Sequence, residues 1–131
     1  MRVLDTDTCV AILRGHDAVL ERRASVADDV ATTWITACEL FYGAARSARP
    51  QANRDLVVRF LDTLPLLGLD LSAAQLFGEI KALLERKGTR LADADLLIAA
   101  ITVSRDAVLV TGNRRHYERV PGVSLEDWMH G

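Results

Sequence analysis

Short apolar stretches alternate along this chain with longer segments of helical periodicity, the pattern of an α/β domain on a mainly parallel sheet. Val3-Leu4 opens a first strand, and the β-branched run from Val30 to Trp34 predicts a second. Leu64 to Leu69, broken by Pro65 and Gly68, predicts a short third; Val108-Leu109-Val110 predicts a fourth and Val123-Ser124 a short fifth. Helices are expected from about Thr8 to Arg14, Asp17 to Val26, Ala37 to Arg46 and Gln51 to Leu61, with Pro50 kept out of a helix interior. A long amphipathic helix is expected from Ser72, with Gln75 completing a capping box and Gly88 closing its end. A last helix is expected from about Ala94 to Ser104. Repeats, low-complexity tracts and linkers are missing from the sequence, so residues 1–131 read as one domain.

Composition narrows the class. Half of the 131 residues are hydrophobic and 26% are charged, a soluble globular balance with enough apolar material for a core. Cys9 and Cys38 each sit in a hydrophobic helical pattern, so both are expected to be buried free thiols. Without a CxxC or a Cys/His cluster, a zinc centre is not expected. The opening Met1-Arg2-Val3-Leu4-Asp5 enters a strand without the apolar stretch of a signal peptide. No window reaches the roughly 20 apolar residues that span a bilayer. A cytoplasmic protein with no membrane partner is the expectation. The net charge of −2 does not announce a nucleic-acid binder. Of the 16 cationic residues only Lys81 and Lys87 are lysines, and arginine grips phosphate with two parallel hydrogen bonds. A GC-rich genome accounts for that bias equally well.

Three acidic positions change the picture. Asp5 ends the first strand in Leu4-Asp5-Thr6-Asp7-Thr8, Glu39 falls in the first turn of the helix after the second strand, and Asp95 opens a later helix. In open α/β sheets, ligands bind at the carboxyl ends of the strands. Carboxylates placed there converge on one cleft despite their separation in sequence. Each also has a local explanation. Asp5, Thr6 or Asp7 caps the following helix, Thr36-x-x-Glu39 reads as a capping box, and Asp93 and Asp95 suit a helix N-terminus. Asp5 and Asp95 nevertheless stand in apolar surroundings, where an unpaired buried carboxylate costs several kcal/mol. If they converge, a cation or an upward pKa shift must relieve the repulsion, and oxygen-only ligands favour magnesium or manganese.

Four motifs in order carry a resemblance. Leu4-Asp5-Thr6-Asp7 resembles the LDTN opening of PIN domains, and Thr36-Ala37-Cys38-Glu39-Leu40-Phe41-Tyr42-Gly43-Ala44 resembles their second motif. Ala94-Asp95-Leu96-Leu97-Ile98-Ala99-Ala100 is similar to the DLLIAA block of VapC-type toxins. Val110-Thr111-Gly112-Asn113, with Arg114-Arg115-His116-Tyr117 after it, resembles the segment that closes the site. The likeness runs from Val3 to Trp128.

That resemblance implies a five-stranded sheet of order 3-2-1-4-5 with an acidic cleft at its carboxyl edge. It assigns Asp5, Glu39 and Asp95 as the catalytic carboxylates and ligands of one or two Mg²⁺ or Mn²⁺ ions. The implied reaction is hydrolysis of RNA phosphodiesters by the toxin of a toxin–antitoxin pair. Thr6 and Thr111 would hold the ligands or a phosphate oxygen, and Asn113 would complete the rim. Asp7 stands where asparagine is usual, and Asn113 where many members carry a fourth aspartate. The metal takes the place of a general base, so His116-Tyr117 is expected to pack the following helix. Asp93 is expected only as an N-cap. Arg46, Arg49, Arg114 and Arg115 are candidate phosphate contacts. Surplus apolar residues on Gln51 to Leu61 and Leu40 to Ala44 predict an exposed groove. VapC-type toxins form homodimers and are inhibited by an antitoxin helix laid in such a groove.

Two other readings remain open. Asp5-x-Asp7 also resembles the nucleophile loop of haloacid-dehalogenase-like phosphatases, which needs a lysine at a strand end; Lys81 and Lys87 both fall on a helix. A non-catalytic PIN fold acting as an interaction module would be expected to lack one of the three carboxylates.

Overall fold

Val3 and Leu4 are adjacent on one strand and both fully buried, each in a different core cluster. A strand alternates its side chains between two faces, so a sheet covered on both faces has no polar side. The computed structural model describes residues 1–130 and places that strand, β1 (Arg2–Leu4), at the centre of a five-stranded sheet. Its order is β3-β2-β1-β4-β5, with β2 at Val30–Thr33, β3 at Leu66–Leu67, β4 at Val108–Val110 and β5 at Ser124–Glu126. Every pairing is parallel, and Leu4, Val110 and Glu126 lie side by side across the three right-hand strands. The expected topology is therefore the one found.

The chain leaves β1 toward β2 and β3, then returns on the other side of β1 as β4. The crevice between the carboxyl ends of β1 and β4 is thus a topological switch point. Helices α1 (Thr6–Leu13), α2 (Asp17–Ser25), α3 (Trp34–Ala45) and α4 (Pro50–Leu61) pack Cys9, Val19, Leu40, Val57 and Phe60 with Leu4 and Val110. On the other face α5 (Leu71–Arg86), α6 (Asp93–Ser104) and α7 (Arg114–Tyr117) pack Ile80, Leu84, Leu96, Ile98 and Tyr117 with Val3 and Leu109. Each fully buried aliphatic side chain contributes about 1.5–3 kcal/mol over an exposed one.

Several boundaries differ from expectation, each because a different residue supplies the cap. The second strand stops at Thr33, whose hydroxyl accepts the Thr36 N–H at 3.1 Å, so α3 starts at Trp34 without a loop. Thr36 is consequently inside the helix rather than its cap, and Glu39 falls in the second turn, not the first. Asp70 accepts the Ala73 N–H at 2.9 Å, so α5 begins at Leu71 ahead of the Ser72 expected to open it. Gly88, with φ +68°, follows the last turn of α5 in the left-handed region open to glycine. Pro50 sits in the first turn of α4, where its missing N–H costs nothing. Asp93 is not an N-cap: Ala92 holds that position, and Asp93 pairs on the surface with Lys81 Nζ at 3.0 Å.

The cysteines separate. Cys9 is buried as expected, but Cys38 is exposed. On α3 the buried residues are Thr36, Ala37, Leu40 and Ala44, a stripe that leaves position 38 on the outer side. Among the described residues no helix is long and apolar enough to cross a membrane.

Candidate active site

The parallel sheet delivers Asp5 and Thr111 to the switch point as the residues following β1 and β4. The Asp5 N–H donates to the Val110 carbonyl at 3.0 Å, which locks it to the neighbouring strand. Its side chain is 3% exposed, and Oδ1 accepts the Thr8 N–H at 2.8 Å as the N-cap of α1. Capping and cleft placement, alternatives in the sequence, are one and the same arrangement. Burial pushes the Asp5 carboxyl up to about 6, against hydrogen bonds from the Thr111 side chain and the Thr8 amide, while the charge of Asp7 adds to the rise. Thr111 is itself buried and accepts the Asn113 N–H at 2.9 Å, which fixes the turn leading into α7.

Glu39 is half-buried on α3 and faces α1. Its Oε1 accepts the Thr6 hydroxyl at 2.5 Å, and Thr6 lies 3.1 Å from the Thr36 hydroxyl. Because the single Thr6 hydroxyl hydrogen goes to the carboxylate, Thr36 is the donor in the second bond. A chain of two hydroxyls thus leads from the start of α3 to Glu39, and Thr36, where it begins, was read in the sequence only as a cap.

Asp95 lies in the first turn of α6, where the helix dipole favours a negative charge. Both of its oxygens are engaged by α7: Oδ2 by His116 Nε2 at 3.0 Å and Oδ1 by the Tyr117 hydroxyl at 3.1 Å. The two rings meet edge to face at 5.4 Å. Sequence reasoning gave His116 and Tyr117 a packing role and missed this contact. Tyr117 does pack in the core, yet a buried phenol also needs a partner for its hydroxyl, and that requirement was the available signal. Its helix spans only four residues, too short for periodicity to reveal.

The Tyr117 phenol feels the charge of all three candidate carboxylates. Its pKa is raised by burial first, then by the negative charges of Asp95, Asp5 and Glu39. Three elements widely separated in sequence therefore direct charge at one buried group. Among the described residues, no three His, Cys, Asp or Glu side chains stand grouped as a ready ion-binding set. Asp7 and Asn113 are exposed and line a cleft of about 530 Å³ with Arg14 and His16. Next to it, sharing Val10 and Arg14, Thr6 and Glu39 open onto a groove of about 580 Å³ between α1, α3 and α4. Its wall includes Val10, Leu13, Tyr42 and Leu56, which bears out the expected apolar groove. Arg46 lines it too, over the Tyr42 ring at 5.3 Å. The Lys81 ammonium is engaged with Asp93 and Lys87 is exposed at the end of α5, so among the described residues neither bonds to Asp5 as the lysine of the alternative phosphatase would need.

Comparison with known proteins gives a consistent result. The PIN domain family pattern matches residues 2–123. The chain is 38% identical over 127 residues to the tRNA(fMet)-specific endonuclease VapC of Salmonella typhimurium, covering 96% of each chain. It is 31% identical over 129 residues to Ribonuclease VapC2 of Rickettsia felis, again covering 96% of each. Among solved structures, DNA-bound VapBC from Salmonella typhimurium superposes with a TM-score of 0.92 at 38% identity, covering 97% of both chains.

Proposed function

Because the chain belongs to the PIN-domain family, in its VapC branch, we propose that it is a divalent-metal-dependent endoribonuclease and the toxin of a toxin–antitoxin pair. The observation that carries the reading is the buried Asp5 carboxylate at the switch point of the sheet, bonded among the described residues to no cationic side chain. The relatives' names supply the substrate class, RNA.

The residues fit a resident Mg²⁺ or Mn²⁺ ion. Every donor is oxygen, as those ions prefer. Asp5 is almost wholly buried, yet among the described residues no cationic side chain bonds to it, so its charge lacks compensation. Asp5 and Asp95 would hold the ion, with Glu39 beside them. When bound, the ion supplies charge neutralisation at the phosphoryl oxygens and lowers the pKa of a coordinated water.

The chain's own residues supply the rest. Thr6 holds Oε1 of Glu39, which leaves the other carboxylate oxygen to orient the attacking water. The Val110 carbonyl holds the Asp5 backbone against β4, Thr111 follows it at the strand end, and Tyr117 and His116 hold Asp95. Asn113 and Asp7 form the rim. Arg46, Arg49, Arg114 and Arg115 are exposed and would meet backbone phosphates on either side.

The apolar groove beside Glu39 is the seat for an antitoxin helix, a homodimer is the working form, and the cytoplasm is the compartment. The VapBC complexes among the structural neighbours support an antitoxin partner.

Cleavage of a structured RNA pool and of an initiator tRNA, with EDTA, Mg²⁺ or Mn²⁺, tests the reading. Cutting should require the metal and disappear in Asp95→Asn. RNA left intact in every metal would overturn it.

A further inference from the structure

Asp95 is held by two successive residues that differ in how firmly they are fixed. His116 is about as exposed as Asp95 itself, with 30% of each side chain open to water. Tyr117 is 2% exposed and packs with Leu96, Ile98, Leu109 and Val120, so its ring cannot turn away without opening that core. Its hydroxyl is directed at Asp95 Oδ1 at 3.1 Å and bonds to no other group among the described residues. A carboxylate oxygen only accepts, so the phenol is the donor in that bond.

We propose that Tyr117 is a positioning residue whose hydroxyl fixes the orientation of the Asp95 carboxylate for uptake of a divalent cation. The inference rests on the metal-site reading above. A carboxylate in the first turn of a helix is free to rotate about its side-chain bonds, and an ion pays for that freedom when it binds. A donor anchored in the core removes the freedom in advance. One oxygen, Oδ1, is held by the fixed group, while Oδ2 faces the exposed His116, which can yield its place. Hydrogen-bond partners of metal ligands act in this way, and their loss typically weakens metal affinity tenfold to a hundredfold.

The test compares the full chain with Tyr117→Phe and Asp95→Asn, reading Mn²⁺ binding by electron paramagnetic resonance. Tyr117→Phe keeps the ring and removes one oxygen, so cooperative melting of the metal-free protein should persist. Mn²⁺ should bind about tenfold more weakly or worse, and RNA cleavage should recover as Mn²⁺ is raised, with KM for RNA unchanged. Asp95→Asn should lose the binding altogether. Wild-type affinity in Tyr117→Phe, with binding lost in Asp95→Asn, would overturn the positioning role and leave the metal site standing. Wild-type affinity in both variants would overturn the metal site and the inference with it. Loss of cooperative melting in Tyr117→Phe would also overturn the inference, by assigning the hydroxyl to the fold.

Discussion

Asp5 caps helix α1 by accepting the Thr8 amide hydrogen at 2.8 Å, and the same carboxylate is the most deeply buried of the three candidate acids. One residue therefore starts a helix and carries an uncompensated charge. That double role makes the metal-free fold sensitive to pH.

Burial raises the folded-state pKa of Asp5 to about 6, above its unfolded value near 4. The protonated form is favoured in the folded state, so the stability from this group is full below the unfolded pKa. It declines as pH rises through the folded pKa. Across the window from about pH 4 to 6 the loss is about 3 kcal/mol. Asp5→Asn keeps a cap oxygen and should stabilise the metal-free protein at pH 7.5 but hardly at pH 4. Urea unfolding at both pH values checks this; equal effects at the two would contradict it.

Thr6 is the hydroxyl donor to Glu39 Oε1. Thr6→Val has nearly the same shape and leaves that oxygen without its donor. We expect kcat for RNA cleavage to fall tenfold to a hundredfold with KM little changed, as for other hydrogen-bond partners of a working carboxylate. A rise in KM alone would show that Thr6 serves binding instead.

The two thiols should react differently. Cys9 is buried, its pKa pushed up to about 12 by burial, and Cys38 is exposed on α3. A thiol reagent should titrate one cysteine in the native protein and two in guanidinium, and Cys38→Ser should abolish the fast phase. Two fast thiols in the native state would mean that α1 does not pack as described.

Leu56 and Tyr42 stand exposed in the groove beside Glu39. Leu56→Glu should weaken antitoxin binding by about tenfold or more, since a charge replaces apolar contact at the centre of the proposed seat. Folding stability should move by no more than about 0.5 kcal/mol, as for other surface changes. Calorimetric titration with the cognate antitoxin measures the first and thermal melting the second. Undiminished affinity would place the antitoxin elsewhere.

Strand order, through what the ordered motifs implied, and three candidate carboxylates were legible before any coordinates. Val3-Leu4 and Val108-Leu109-Val110 are apolar at consecutive positions because both faces of a central parallel strand are covered. Asp5, Glu39 and Asp95 could be picked out because acids in apolar text need a reason, and the four ordered motifs supplied one. Cap positions were less legible. Thr33 and Thr36 offer the same side-chain chemistry three residues apart, and which one caps depends on where β2 stops pairing with β3.

What the sequence determined, then, is what local periodicity and residue chemistry carry: helices, strands, their alternation and the acids at strand ends. The tertiary structure decided the partners. It alone shows Thr6 donating to Glu39 across two helices, and Tyr117 holding Asp95 from 22 residues away. It alone shows that Asp5 is both cap and buried charge. Hydrogen bonds between distant residues depend on positions set by packing of the whole core, and that packing has no local signature in the chain.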